Sequence, residues 1–199
     1  MDIIVPWRPA GCEHRQAAFD YIRQHMQGYT LLVADDNSEP FSRAGSKNLG
    51  ASMSAQDVLF FLDADMLVPH EQIDAAIELA RTAGLVVAFD RYIYINKEIT
   101  KLVLTDNIEL FNVPAQYTAS FPVGGAVAVR RDLFAGYDTD FVGWGMEDVA
   151  LVEALRWQGI ELQRIPGPAV HLWHPGHMRD DNVINNERIY RQKYLGEQQ

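Results

Sequence analysis

The first ninety or so residues alternate between short apolar blocks and stretches in which apolar residues recur every three or four positions. Residues 2–7 predict a first strand. Residues 13–26 suit a helix, with Ala18, Tyr21, Ile22, His25 and Met26 on one face. "YTLLVA" at 29–34 predicts a second strand, and helical sequence resumes near 42–54. A third strand covers 57–62. Pro69 then fits the first turn of a helix whose buried stripe is Ile73, Ala76, Ile77 and Ala80, and Gly84 closes it before "LVVAF" gives a fourth strand. Strand–helix alternation with wholly apolar strands implies an α/β domain with a mostly parallel central sheet and helices on both faces.

The second half is less regular. "FPVGGAVAVR" at 121–130 predicts a strand entered through a glycine pair. Residues 146–158 predict a helix with Val149, Val152 and Leu155 inward. Residues 160–172 predict one or two short strands, and the polar tail from about 180 a helix. No repeat, low-complexity tract or linker divides the chain, so residues 1–199 are expected to form one domain.

In open sheets of this kind ligands bind beyond the carboxyl ends of the strands. Three successive strand ends carry Trp7-Arg8, Asp35-Asp36 and Asp63-Ala64-Asp65, so all three sets are expected on one rim. A length of 199 residues suffices for one sizeable core. No apolar run reaches the roughly 18 residues of a bilayer span, and the N-terminal sequence reads as a strand and not as a signal peptide. The single cysteine, Cys12, allows no internal disulfide, which points to a cytoplasmic location. A net charge of −10 argues against unaided binding of duplex DNA. Nothing in the sequence speaks to oligomeric state.

Asp63 and Asp65 follow the buried run "LFFL". On a straight strand, carboxylates two residues apart point the same way and repel unless a cation joins them; Mg2+ or Mn2+ suits such hard oxygen ligands. A turn cap plus a solvated carboxylate is the plainer alternative. His171, His174 and His177 place three of the chain's six histidines within seven residues and offer a nitrogen ligand, with His174 preferred over His171. No zinc-type spacing is present.

"FVGWGMED" at 141–148 is the other candidate. Glycines on either side of Trp144 permit a tight turn, and an exposed indole offers a flat face to a sugar ring. Glu147 and Asp148 open the predicted helix, where its dipole favours the ionised form that a proton acceptor needs; helix capping is the alternative. Gly124 and Gly125 either admit a sugar closely or form a bulge. Arg8 and Arg43 sit at positions suited to hold a diphosphate or a base. Neither G-x-x-x-x-G-K-[ST] nor, after the first strand, G-x-G-x-x-G occurs, so a P-loop is not supported and a dinucleotide fold is disfavoured.

Together, the strand ending in Pro6-Trp7-Arg8, then "VADDNSE", "RAGSKNLGA" and "FLDADM", resemble the GT-A fold glycosyltransferases of the large inverting family 2. "PVGGAVAVRRDLF" followed by "GWGMEDVAL" resembles the C-terminal half shared by β1,4-galactosyltransferases and polypeptide N-acetylgalactosaminyltransferases. The resemblance implies a nucleotide-binding half at 1–90 and an acceptor-binding half and tail at 91–199. It implies that Pro6, Trp7, Arg8, Asp35 or Asp36, and Arg43 line the nucleotide pocket, one aspartate holding uracil. Asp63, Ala64 and Asp65 would form the D-x-D motif, with Asp65 the more direct Mn2+ ligand and His174, or failing that His171, joining it. Gly124, Gly125 and Trp144 would meet donor and acceptor. Glu147 would bind the acceptor sugar and Asp148 act as base.

The implied activity is inverting, metal-dependent transfer from a UDP-sugar to the hydroxyl of a glycan or other acceptor. A nucleotide-sugar- or glycan-binding module without activity is the alternative. A nucleotidyltransferase ranks last, because "VPWRPAGCEHR" has one glycine and no lysine. Two departures stand out: the acidic run after Trp144 is shorter than in the galactosyltransferases, and their membrane anchor and disulfides are absent. The second implies a soluble bacterial or phage-like version.

Overall fold

The computed structural model describes residues 1–9, 11–120, 122–175 and 181–196. Among the described residues, six α-helices accompany two sheets. Strands β1 (Asp2–Pro6), β2 (Thr30–Ala34) and β3 (Val58–Leu62) alternate with helices α1 (Glu13–His25) and α2 (Arg43–Met53). β4 (Met66–Leu67), α3 (His70–Ala83) and β5 (Leu85–Val87) follow. Then come β6 (Arg91–Tyr94), α4 (Lys97–Leu104), β7 (Tyr117–Ala119), β8 (Ala126–Arg130), α5 (Glu147–Arg156), β9 (Gln163–Arg164), β10 (Pro168–His171) and α6 (Asp181–Tyr194).

The central sheet has the order β2-β1-β3-β8-β5-β9. β1 pairs in parallel with both β2 and β3, and β5 with β9; only β8 runs the other way, between β3 and β5. All five residues of β3 are buried. Alternate side chains of a strand point to opposite faces, so both faces of the sheet are covered there. α2 packs on β1 and β2, and α3 on β3, β5 and β8. The inward stripe of α3 is Ile73, Ala76, Ile77 and Ala80, as its spacing predicts, and Gly84 ends the helix at φ 88°.

Two helix faces differ in detail from the expectation. α1 buries Ala18, Phe19 and Ile22, while Tyr21 and His25 are only half-buried. α5 buries Ala150, Leu151, Val152 and Leu155 together with Glu147, and Val149 is half-buried. A charged residue occupies the inward position at the start of α5 because cations meet it there, as described below.

Of the smaller sheet, β4-β10-β6-β7, β10 falls in the stretch 160–172 expected to form strands, while β4, β6 and β7 have no counterpart in the sequence pattern. Its strands are two to four residues long, too short for a period-two pattern to register. Two features of the sheets build the rim. Being antiparallel, β8 begins where β3 ends: Leu62 faces Ala126, and the Asp63 N–H donates to the Gly125 carbonyl at 2.8 Å. β10 lies beside β4, with His171 opposite Met66, and the Leu172 N–H donates to the Asp65 carbonyl at 2.9 Å. No helix among the described residues is long and apolar enough to cross a membrane.

Candidate functional site

The ends of β1 and β2 carry the first group. Arg8 donates from Nε to Asp35 Oδ2 at 2.7 Å and from Nη2 to Asp35 Oδ1 at 2.6 Å, a two-pronged pair. Its hydrogen bond with Arg8 comes first among the causes that hold the Asp35 carboxyl below its usual range. Trp7 stacks on Phe19 with centroids 4.6 Å apart, which orients the segment after Pro6. Asp36 turns the other way and accepts from the hydroxyls of Ser38 and Ser46, tying the strand end to α2.

The Asp63-Ala64-Asp65 segment is a turn between β3 and β4, not a straight strand end. Its two carboxylates therefore enter different clusters. Asp63 lies against Arg43, whose Nη2 is 2.8 Å from both carboxylate oxygens. Asp65 lies against two histidines: His174 Nε2 at 3.0 Å and His171 Nε2 at 3.7 Å.

Asp65, His171 and His174 each present one ligand atom, all within 4.8 Å of one another. One carboxylate oxygen and two imidazole nitrogens form a donor set that fits a divalent cation such as Mn2+. His174 Nδ1 is 3.1 Å from the Pro175 carbonyl; a proton held there leaves Nε2 directed at Asp65. Burial works against charge on all three groups. For Asp65 the positive charges of His171, His174 and Arg43 prevail and hold its carboxyl well below the usual range. For His174, burial is outweighed by Asp65 and the Pro175 carbonyl, and its pKa rises. For His171, burial prevails and its pKa falls. Tyr92 and Tyr94 back the His171 ring at 5.9 and 5.3 Å. His177 lies outside the described residues.

The other cluster joins α2 to the first turn of α5. Arg43 and Lys47 stand one helical turn apart on α2, the spacing that puts side chains on one face. Arg43 Nε is 2.9 Å from Glu147 Oε1, and its Nη2 is 3.8 Å from Asp148 Oδ2. Lys47 Nζ donates to Asp148 Oδ1 at 2.6 Å and reaches Glu147 Oε1 at 3.3 Å, with its ammonium 4.6 Å from the centre of the Tyr137 ring. Lys47 is 2% exposed. Burial raises the Glu147 carboxyl, but Arg43 and Lys47 overcome it and bring it to about 2. Asp148 goes the other way: burial, with Glu147 and Asp63 nearby, raises its pKa despite Lys47 and Arg43.

Gly124 makes room for Asp148. A β-carbon at Gly124 would overlap Asp148 Oδ2, so a residue with a side chain there would displace the carboxylate. Gly125, at φ 97°, follows and leads into β8.

Trp144 is 58% exposed, on a loop in which Gly143, Gly145 and Met146 all have positive φ. Glycine takes this conformation readily; Met146 does so as the residue before α5. The loop is held from α6. Asn186, 1% exposed, accepts from the Val142 N–H and donates to the carbonyls of Val142, Trp144 and Gly145. An open groove of about 540 Å³ lined by Asp90, Arg91, Thr118, Ala119, Ser120 and Gly167 lies at the other end of the small sheet from His171 and does not belong to this site.

The structure thus gathers Asp63, Gly124, Glu147 and Asp148 around Arg43, and Asp65, His171 and His174 into a cluster entered from the same turn. Arg8, Asp35 and Asp36 line the neighbouring strand ends. Lys47 and Asn186 were missed from sequence. Lys47 had a signal: it and Arg43 are the only charged residues of α2, which is otherwise small or polar apart from Leu49 and Met53. Asn186 had none, in a helix already rich in polar residues.

Comparisons with known proteins bear on the family and the fold. Residues 17–179 match the family model described as glycosyltransferase like family 2. The mouse chondroitin sulfate N-acetylgalactosaminyltransferase 2 is 26% identical over 176 residues, covering 82% of this chain and 32% of that protein. Its human counterpart is 25% identical over 177 residues, with 83% and 32% covered. The chain therefore spans about a third of the length of these curated relatives. Among solved structures, the Drosophila β1,4-galactosyltransferase 7 in complex with manganese, UDP-Gal and xylobiose superposes with a TM-score of 0.57 at 19% identity, covering 100% of this chain and 75% of that one. The Mycobacterium tuberculosis glucosyl-3-phosphoglycerate synthase with Mn2+ and UDP-Glc gives 0.51 at 15% identity, covering 94% and 75%. At these identities the likeness to solved structures speaks for the fold.

Proposed function

The chain belongs to the glycosyltransferase-like family 2 and has the GT-A fold, and from this premise we propose that it moves a sugar from a UDP-sugar to an acceptor hydroxyl with inversion, aided by Mn2+ or Mg2+. The observation that carries the reading is the pairing, across one short turn, of a cation-type donor set with a half-buried carboxylate at a helix N-terminus. Asp148 is the base. Its raised pKa makes it a better proton acceptor. The acceptor oxygen bonds to the anomeric carbon, the bond from that carbon to the diphosphate oxygen breaks on the opposite face, and the hydroxyl proton passes to Asp148. Glu147, held ionised by Arg43 and Lys47, is available to accept hydrogen bonds from the acceptor sugar. A cation on Asp65, His171 and His174 would supply positive charge for the departing diphosphate. Arg8 and Asp35 shape the pocket for the base, and Trp144 offers its exposed indole to a sugar ring. The complexes of the two structural neighbours, each with manganese and a UDP-sugar, support this choice of donor and metal.

The test is UDP release from UDP-glucose, UDP-galactose and UDP-N-acetylgalactosamine with and without Mn2+. Release by the wild-type chain is expected with at least one donor and to depend on the metal. Asp148→Asn should lower it by about 10²- to 10⁴-fold, the usual worth of a general base. Absence of release with every donor, or an Asp148→Asn variant as fast as wild type, overturns the reading or the base assignment respectively.

A further inference from the structure

In the reaction as described so far Lys47 acts only on Glu147, yet it is the most completely buried cation in direct contact with the candidate base. Its side chain is 2% exposed, against 17% for Arg43. An ammonium that far from water is retained only where carboxylates compensate it, and here both partners come from the first turn of α5.

The contacts divide the Asp148 carboxylate into two unlike oxygens. Oδ1 accepts the short hydrogen bond from Lys47 Nζ at 2.6 Å. Oδ2 lies against Gly124 and has Arg43 Nη2 at 3.8 Å, beyond hydrogen-bonding distance. Lys47 is itself fixed from a second side by Glu147 Oε1 at 3.3 Å and from below by the Tyr137 ring. Tyr137 is placed in turn by Asn48, the next residue of α2, whose amide bonds both its N–H and its carbonyl. The ammonium therefore has little freedom to leave Oδ1.

We propose that Lys47 is a positioning residue for transfer: it occupies one oxygen of Asp148 and fixes the carboxylate's rotation, leaving the other oxygen to take the acceptor's proton. The proposal rests on the assignment of Asp148 as base. The charged and titratable groups facing Asp148 are Arg43 and Lys47 from α2, Glu147 from its own helix, Asp63 from the turn after β3, and Tyr137 from the segment before α5. Of these, Lys47 is the opposite charge that acts on it most strongly. Removing it leaves burial, Glu147 and Asp63 opposed by Arg43 alone, so Asp148 should hold its proton to higher pH.

The experiment measures UDP release against pH for wild type, Lys47→Met, Lys47→Gln and Lys47→Arg. It uses Mn2+ and whichever of the three UDP-sugars the wild-type chain turns over, with water as acceptor. Calorimetric binding of UDP and Mn2+ serves as the folding control. Lys47→Met and Lys47→Gln are expected to lose on the order of 10- to 100-fold in kcat, a part of the general-base effect. Donor KM should hold and the acid limb of the kcat profile should move to higher pH, while Lys47→Arg recovers most of the rate and the wild-type limb. A neutral variant with wild-type kcat and limb overturns the proposal. So does a loss confined to KM. Failure of both neutral variants to bind UDP assigns Lys47 to the fold alone and overturns it too. A wild-type chain that releases no UDP removes the parent reading, and an Asp148→Asn variant with wild-type rate removes the base; either result is distinct from the first three.

Discussion

Asp63 and Asp65 are two residues apart, and the clusters they enter solve the same electrostatic problem in opposite ways. Asp63 joins Glu147 and Asp148 around Arg43 and Lys47, cations whose charge the surrounding carboxylates favour. Asp65 is in contact with His171 and His174, whose charge is optional near neutrality, and Arg43 acts on it besides. The first cluster carries its own cations, which hold Glu147 ionised while the Asp148 pKa stays raised. The second can exchange protons for a metal ion without moving a ligand. A site that must keep one carboxylate reactive and also receive a cation has reason to keep the two functions apart, because a metal drawn to Asp148 would silence the base.

This contrast can be broken at three points, taken from the largest expected effect to the smallest. Arg43→Met strips Asp63 and Glu147 of their shared cation and leaves buried negative charge unpaired. It should cost about 3–5 kcal/mol in urea unfolding, and a loss below about 1 kcal/mol, the worth of a surface pair, would show that the cluster is wetter than its burial implies. Acid should then tell the clusters apart. Glu147 has a folded pKa of about 2 against an ordinary 4.5, so its contribution is present above 4.5 and is lost as pH falls toward 2. Unfolding free energy should fall across that window with a slope from this group approaching about 1.4 kcal/mol per pH unit, and Glu147→Gln should flatten it. A slope unchanged in Glu147→Gln would move the acid sensitivity elsewhere. Metal is the smallest of the three effects on stability. Mn2+ at a hundred times its dissociation constant should stabilise the fold by about 2.7 kcal/mol. His174→Ala should remove most of that gain with little change in the metal-free protein; a melting temperature that rises equally with Mn2+ in the variant would place the cation elsewhere.

The strands and helices of the first half were legible because burial on both faces writes itself as uninterrupted apolar runs, as in Val58–Leu62, and one-sided burial as the stripe of α3. The second half was less so. β7 there, and β4 in the first half, have three and two residues and exist through pairing with distant partners. The helix α4 was also missed, although Asn96 caps it with a bond from the Ile99 N–H, because its eight residues give barely two turns of periodicity.

At the site, the chemistry-bearing residue types were visible as motifs, but the assumption that D-x-D continues a straight strand was wrong. The chain turns at Asp63-Ala64-Asp65, and the two acids part. His174 was ranked ahead of His171, and both imidazoles face Asp65. Lys47 went unnoticed because a lysine on a helix is ordinarily solvated, and nothing local says that the start of another helix, 100 residues on, will cover it.

Local pattern alone therefore determined the alternating framework, the gathering of three strand ends on one rim and the identity of the acids and histidines there. These depend on periodicity and side-chain chemistry, which neighbours in sequence carry. Which acid meets which cation was decided only by tertiary structure: by an antiparallel β8 entering beside β3, by β10 pairing with β4, and by α5 docking its first turn on α2. Coulomb energy depends on separation and burial, and both are set by packing between segments far apart in the chain.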